Sequence, residues 1–167
     1  MSIIKVTDLS FLRGKNLEKK IIFCSGSFDL THVGHVLFFE DCKKRGDILI
    51  VSVGGDKIIK DLKGNFRPIL NQDIRMKMVD SIKPVDFVFL DEITTIEDPH
   101  EMFKFVFKNL KPDEYVINED VSDIEKRKKL AKSFGIKMKI LNRDCPKEFN
   151  FVSTTKIIDC ILKGNNL

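Results

Sequence analysis

The sequence predicts an α/β protein built on a single doubly wound parallel sheet of five strands, and three observations predict it. Its 167 residues suit one domain spanning residues 1–167, with a core over about residues 20–162. Five short apolar runs recur along the chain. A stretch with helical start or stop signals follows each run, and strands that alternate with helices are joined by right-handed crossovers that leave them parallel.

Ile21 to Ser25 is the first strand, a short apolar run that ends in Gly26 and enters a tight turn through Thr31. From His32 onward Val36, Leu37, Phe38 and Phe39 fall on a helical stripe, closed by Lys43, Lys44, Arg45 and Gly46, a cation-rich last turn with a terminal glycine. Asp47 to Val53 is the second strand, and Gly54, Gly55 and Asp56 break it before a short helix over Lys57 to Leu62. Asn71 can cap a helix through Ile82, Val85 to Leu90 is the third strand, and Asp98 can cap a helix to about Leu110. Glu114 to Asn118 is the fourth strand. Ser122 to Glu125 has the spacing of a capping box and opens a helix that stops at Gly135. Lys137 to Leu141 is the fifth strand, and Ser153 can cap a last helix reaching about Leu162. The basic run Glu125 to Lys132 reads as a solvated helix face.

Composition narrows the function classes. Apolar residues make up 43% and charged residues 32%, with 9 Gly and 5 Pro, so disorder and low-complexity scaffolds are excluded. No apolar stretch approaches the roughly 20 residues that cross a bilayer, and the first nine residues lack a secretory h-region, so the expected location is the cytoplasm and no membrane partner is expected. Cys24, Cys42, Cys145 and Cys160 form no CxxC pair, which removes zinc knuckles and redox motifs and leaves packing thiols. A net charge of +4 fits an anionic ligand but is too small to imply nucleic acid. The 14 Phe residues do not alternate with basic residues as a nucleic-acid stacking platform would, and most read as core.

In an open parallel sheet, ligands bind outside the carboxyl ends of the strands, so the loops after Ser25, Val53, Leu90 and Asn118 are expected to form the site. The loop Gly26-Ser27-Phe28-Asp29-Leu30-Thr31-His32-Val33-Gly34-His35 carries most of the chemistry. His32 and His35 share a face at a helix start, Gly34 between them lets a ligand approach the backbone, and the helix N-terminus favours an anion by about 0.3–1 kcal/mol. Phosphate is the natural guest. Metal ligation through Asp29 is the rival reading of the two histidines.

Gly26-Ser27-Phe28-Asp29 followed by His32-Val33-Gly34-His35 resembles the GxFDxxHxGH signature of the cytidylyltransferase-like nucleotidyltransferases. Lys63 to Pro68, and then Arg75, resemble the KGxxRP segment and following Arg of the adenylyltransferase domain of ADP-heptose synthase. Ser153 to Ile158 resembles the start of the last helix in that domain and in glycerol-3-phosphate cytidylyltransferase. The resemblance implies a Rossmann-like fold and attack by a phosphate oxygen of a small substrate on the α-phosphorus of a nucleoside triphosphate, with pyrophosphate leaving. It implies that His32, His35, Lys63 and Arg75 are catalytic, and that Gly26, Ser27, Phe28, Asp29, Gly34, Asp120, Ser153, Thr154 and Thr155 bind the nucleotide. The implied partners are ATP, with CTP as runner-up, and a phosphorylated sugar or polyol, glycerol 3-phosphate among the alternatives. Mg²⁺ is expected with the triphosphate and no protein metal ligands, and a homodimer is expected from such relatives. Two departures stand out. Glu119 occupies a turn where the relatives carry glycine, and Arg143 lies ten residues before Ser153 where the cytidylyltransferase has an Arg five before. A nucleotide-binding module without turnover is the reading from another class.

Overall fold

The fold grows from central strands that are buried on both faces, with the strand Lys137–Leu141 as a more exposed edge. In the computed structural model, which describes residues 3–142, 146–149 and 152–166, the strands are β1 (Ile21–Gly26), β2 (Ile48–Gly54), β3 (Phe87–Asp91), β4 (Glu114–Asn118) and β5 (Lys137–Leu141). All neighbours pair in parallel, in the order β3-β2-β1-β4-β5. The chain reverses its direction of winding between β1 and β4, and the carboxyl ends of strands at such a reversal are where sheets of this kind take ligands. Alternate residues feed two cores. Ile21, Phe23, Ile50, Phe89 and Tyr115 face one side of the sheet, while Ile22, Cys24, Leu49, Val51 and Val88 face the other.

Helices cover both faces. α1 (Leu9–Lys15), α5 (Glu101–Asn109) and α6 (Ile124–Ser133) supply Leu9, Phe103, Val106, Phe107 and Ala131 to the first core. α2 (Val33–Lys43) and α4 (Gln72–Asp80) supply Phe38, Phe39, Cys42, Met76 and Val79 to the second. α3 (Asp56–Lys63) follows β2, and α7 (Thr154–Lys163) ends the fold with no fully buried side chain. Among the described cysteines, Cys24 and Cys42 are buried free thiols and Cys160 is a half-buried one; Cys145 lies outside the described residues. Burial pushes the Cys24 thiol well above its ordinary value, with Cys42 beside it acting in the same direction. Among the described residues no helix is long and apolar enough to cross a membrane.

The strands and most helices follow the sequence expectation, including the Asn71 cap, whose side chain accepts from Ile74 N–H at 3.0 Å. Three features differ. The first twenty residues carry α1, and Leu9 in it is fully buried. The helix expected from Asp98 begins at Glu101, because the chain first turns through Pro99 and His100 while Asp98 accepts the His100 N–H. The capping box at Ser122 does not form. Asp123 occupies the cap position with left-handed backbone (φ 60°), which displaces Ser122 from the helix entry and leaves its carbonyl to accept from Arg127. Arg127 also departs from the solvated face assigned to its helix, since its guanidinium donates to the buried Tyr115 hydroxyl at 2.7 Å and lies over the Phe103 ring.

Candidate active site

The loop between β1 and α2 has to reverse direction within a few residues, and it does so with strained backbone. Phe28 and Leu30 both adopt positive φ, 49° and 45°, a conformation that costs a bulky residue on the order of 1–3 kcal/mol. Asp29 between them over-determines the turn. Its carboxylate is fully buried and accepts from Leu30 N–H (3.1 Å), Ile69 N–H (2.8 Å), Leu70 N–H (2.9 Å) and Arg67 Nε (3.1 Å). Its carbonyl accepts from the Thr154 hydroxyl at 2.9 Å. One aspartate therefore joins the histidine loop, the α3–α4 loop and the start of α7. With four donors already on its two oxygens, Asp29 is a joint of the protein frame, which removes it as a metal ligand.

Gly26, Phe28 and Gly34 also have roles in the packing of this loop. A Cβ at Gly26 would sit 2.9 Å from the Phe28 ring, so this glycine makes room for Phe28 to fold beneath the loop. There Phe28 is buried against Phe39 and stands edge-on to His35, with ring centroids 4.9 and 5.4 Å apart respectively. A Cβ at Gly34 would meet the His32 ring at 3.0 Å, so the glycine lets that imidazole lie against the helix start.

The two histidines cap α2 reciprocally. His32 Nδ1 accepts from Gly34 N–H at 3.1 Å, and His35 Nδ1 accepts from His32 N–H at 3.4 Å. The rings stack with centroids 3.9 Å apart. A nitrogen that accepts carries no proton, so this capping leaves Nε2 as the proton-bearing nitrogen of each ring. The backbone thus leaves Nε2 as the donor edge of both rings at a helix N-terminus, where peptide N–H groups add partial positive charge, and the His32 Nε2 is itself buried.

Lys63, the last residue of α3, donates to Ser27 Oγ at 3.0 Å and closes one side of the loop. Burial of its ammonium lowers its pKa, with the Arg67 charge acting in the same direction; Asp29 and Asp120 oppose the shift. The influence of Asp120 places the turn after β4 within electrostatic reach of Lys63. Arg75 is engaged within the protein frame. It is fully buried and donates to Leu70 O (2.9 Å), Ser27 O (2.6 Å) and Asp56 Oδ1 (2.7 Å), so it braces Ser27 from below. Ser153 caps α7 by accepting from Lys156 N–H at 3.1 Å, and Thr155 is exposed on its first turn. Glu119 is exposed in a turn with no left-handed residue, so the glycine of the relatives is not required by backbone conformation there. Arg143 lies outside the described residues. Sequence reasoning does not single out Arg67 and Asp56 as functional; their partners are 38 and 19 residues away, and no local pattern signals such pairs.

The fold and the loop define an α/β protein of parallel strands in which a histidine-capped helix follows the central strand. The family profile of cytidylyltransferase-like proteins matches residues 23–159, and the chain belongs to that family. Among curated relatives, the chain is 36% identical over 147 residues to the bifunctional protein HldE of Campylobacter jejuni subsp. doylei, covering 88% of this chain and 29% of that protein. It is 40% identical over 114 residues to the bifunctional protein HldE of Aliarcobacter butzleri, covering 65% and 23%. The chain thus spans less than a third of the length of those bifunctional relatives. A FAD synthase of Aciduliprofundum boonei is 36% identical over 138 residues, covering 82% of this chain and 87% of that protein. Among solved structures, the lipopolysaccharide core biosynthesis protein of Thermoplasma volcanium superposes with a TM-score of 0.61 at 27% identity, covering 77% of this chain and 99% of that one.

Proposed function

We propose that the protein is a nucleotidyltransferase that transfers AMP from ATP to a phosphorylated sugar and releases pyrophosphate. The observation that carries this reading is the reciprocally capped His32–His35 pair, set as two Nε2–H donors at the N-terminus of α2. In the proposed reaction a phosphate oxygen of the acceptor attacks the α-phosphorus, a new P–O bond forms, and the bond to the β-phosphate breaks. Charge grows on the α-phosphate oxygens and on the departing pyrophosphate, and preorganised donors stabilise it without reorganisation. His32 and His35 donate to those oxygens, Lys63 and Ser27 hold the phosphates, and the first turn of α7 with Thr155 receives the pyrophosphate end. Asp29 and Arg75 act as positioning residues that hold this set in place.

Among the described residues no three His, Cys, Asp or Glu side chains converge as a metal cage. A Mg²⁺ ion accompanying the triphosphate beside Ser27 and Lys63 would neutralise phosphate charge there. A homodimer, a cytoplasmic location and one domain over the chain belong to the same reading; the exposed Ile161 and Leu162 of α7 are the apolar surface that favours dimerisation, which light scattering tests by mass.

The HldE relatives support a sugar phosphate as acceptor, with CTP and glycerol 3-phosphate as the alternative pair. A second acceptor, a flavin phosphate, is favoured by the match that covers 87% of a FAD synthase. The deciding experiment is a pyrophosphate-release assay that crosses ATP, CTP, GTP and UTP with a sugar 1-phosphate, glycerol 3-phosphate and FMN. Release with ATP and the sugar phosphate is expected. Nucleotide binding without release from any pair refutes transfer and leaves a binding module.

A further inference from the structure

We propose that Phe66 is a stacking platform for the planar ring of a bound substrate, a specificity residue at the rim of the phosphate site. Phe66 is 91% exposed, more than any other large apolar residue among those described. A single exposed apolar side chain is ordinary on a protein surface. Phe66 differs in how its loop is held.

Gly64 N–H closes α3 on Lys60 O at 2.8 Å, and Arg67 N–H returns to Gly64 O at 3.1 Å, so Phe66 stands in a tight turn. On one side of it Lys63 reaches Ser27 of the histidine loop. On the other, Arg67 and the Ile69 and Leu70 N–H groups are tied to buried Asp29 of the same loop. The turn is thereby pinned on both flanks to the strand-to-helix loop that forms the phosphate site, with the ring left in solvent between two cations.

A phosphate ester entering between Ser27, Lys63 and the histidines has its non-phosphate portion at this rim. An aromatic face accepts a flat π ring by stacking, with little dependence on which ring it is. The inference rests on the proposed nucleotidyltransferase reading. The shared ligand chemistry is a planar ring carried by a phosphate ester, and its two sources are the nucleobase of the donor and the flavin of an acceptor.

The chain has no tryptophan, so Phe66→Trp installs a sole indole reporter on a side chain that supports no core. The probes are α,β-methylene ATP with Mg²⁺, FMN, and pyrophosphate with Mg²⁺, each also titrated into the wild-type chain by calorimetry. A ring-bearing probe is expected to shield the introduced indole from acrylamide, while pyrophosphate binds without shielding it. Shielding by methylene ATP assigns the nucleobase, and shielding by FMN assigns the acceptor. Phe66→Ala is expected to weaken the shielding probe by about tenfold and to leave pyrophosphate affinity unchanged, with Phe66→Tyr restoring it. The proposal is overturned if methylene ATP or FMN binds the wild type yet neither shields the indole of Phe66→Trp nor loses affinity in Phe66→Ala. It is equally overturned if that indole is shielded without ligand in proportion to protein concentration, since a second copy then covers the ring. A wild-type chain that binds none of the three probes refutes the nucleotidyltransferase reading itself, and the stacking role with it.

Discussion

Replacing Asp29 by Asn removes one charge and changes one oxygen to an amide, with almost no change in shape. Whichever way the amide is turned, it faces two donors. On one side these are the Leu30 and Leu70 N–H groups, and on the other Ile69 N–H and Arg67 Nε. Two hydrogen bonds to a charged acceptor are lost, each worth about 1.5–3 kcal/mol. Arg67, whose side chain is only 16% exposed, also loses its fully buried carboxylate partner. Breaking a buried pair of this kind costs about 3–5 kcal/mol, and we expect Asp29→Asn to destabilise the protein by that amount. This is a large share of the roughly 5–15 kcal/mol typical of a folded domain. Urea unfolding followed by circular dichroism measures it, and an unchanged slope with a shifted midpoint marks a true loss of stability. Pyrophosphate affinity should fall in the same variant, because Asp29 holds both flanks of the site. A loss below about 1 kcal/mol would refute the argument that Asp29 joins the three segments.

His35→Ala should fold normally and lose about 10²-fold or more in turnover, as one preorganised donor is removed; wild-type kcat/KM in the His32, His35 double variant would make the pair purely structural. Lys63 has a lowered pKa in the folded protein, so it gives up its charge at a pH below the ordinary lysine value of about 10.4. Pyrophosphate affinity should therefore be constant well below the lowered pKa and fall as pH rises through it, and a titration of Kd against pH should show this limb flattened in Lys63→Met. Glu119→Gly should reorder acceptors or nucleotides in the pyrophosphate-release assay if the carboxylate reads a substrate group, by about 1–3 kcal/mol in kcat/KM. An unchanged ranking and rate would place Glu119 outside the site.

Most of the fold is legible in the sequence because the central parallel strands bury both faces and leave apolar runs, and even the strands with charged residues alternate with helix signals. Glu114–Asn118 and Lys137–Leu141 have the same bounds in sequence and structure. What escapes is set by interactions that local pattern does not carry. α1 has a single fully buried side chain, Leu9, and too few apolar positions to show a period. The Ser122 box has the correct spacing, but the left-handed Asp123 shifts the helix entry by one residue, and spacing alone does not report φ. Arg127 looks like one more cation on a solvated helix until Tyr115 and Phe103 are brought beneath it.

The site shows the same division more sharply, and for a physical reason. A signature segment records every residue that a strand-to-helix turn needs, whether it faces a ligand or the protein frame. Two side chains in left-handed backbone on either side of Asp29 require a partner for each, and Asp29, Gly26 and the buried Arg75 supply the space and the bonds. These inward residues have no periodicity or charge that separates them from Ser27, His32, His35 and Lys63. Only the three-dimensional accounting of donors does so: Asp29 holds four and Arg75 gives three, whereas the imidazoles commit their Nδ1 edge to the backbone caps of α2. It follows that substitutions at the inward set should lower stability and activity together. Substitutions at the histidines should lower activity far more than stability, whose loss is limited to the α2 cap at about 0.5–2 kcal/mol, and that contrast is the sharpest functional signature this loop offers.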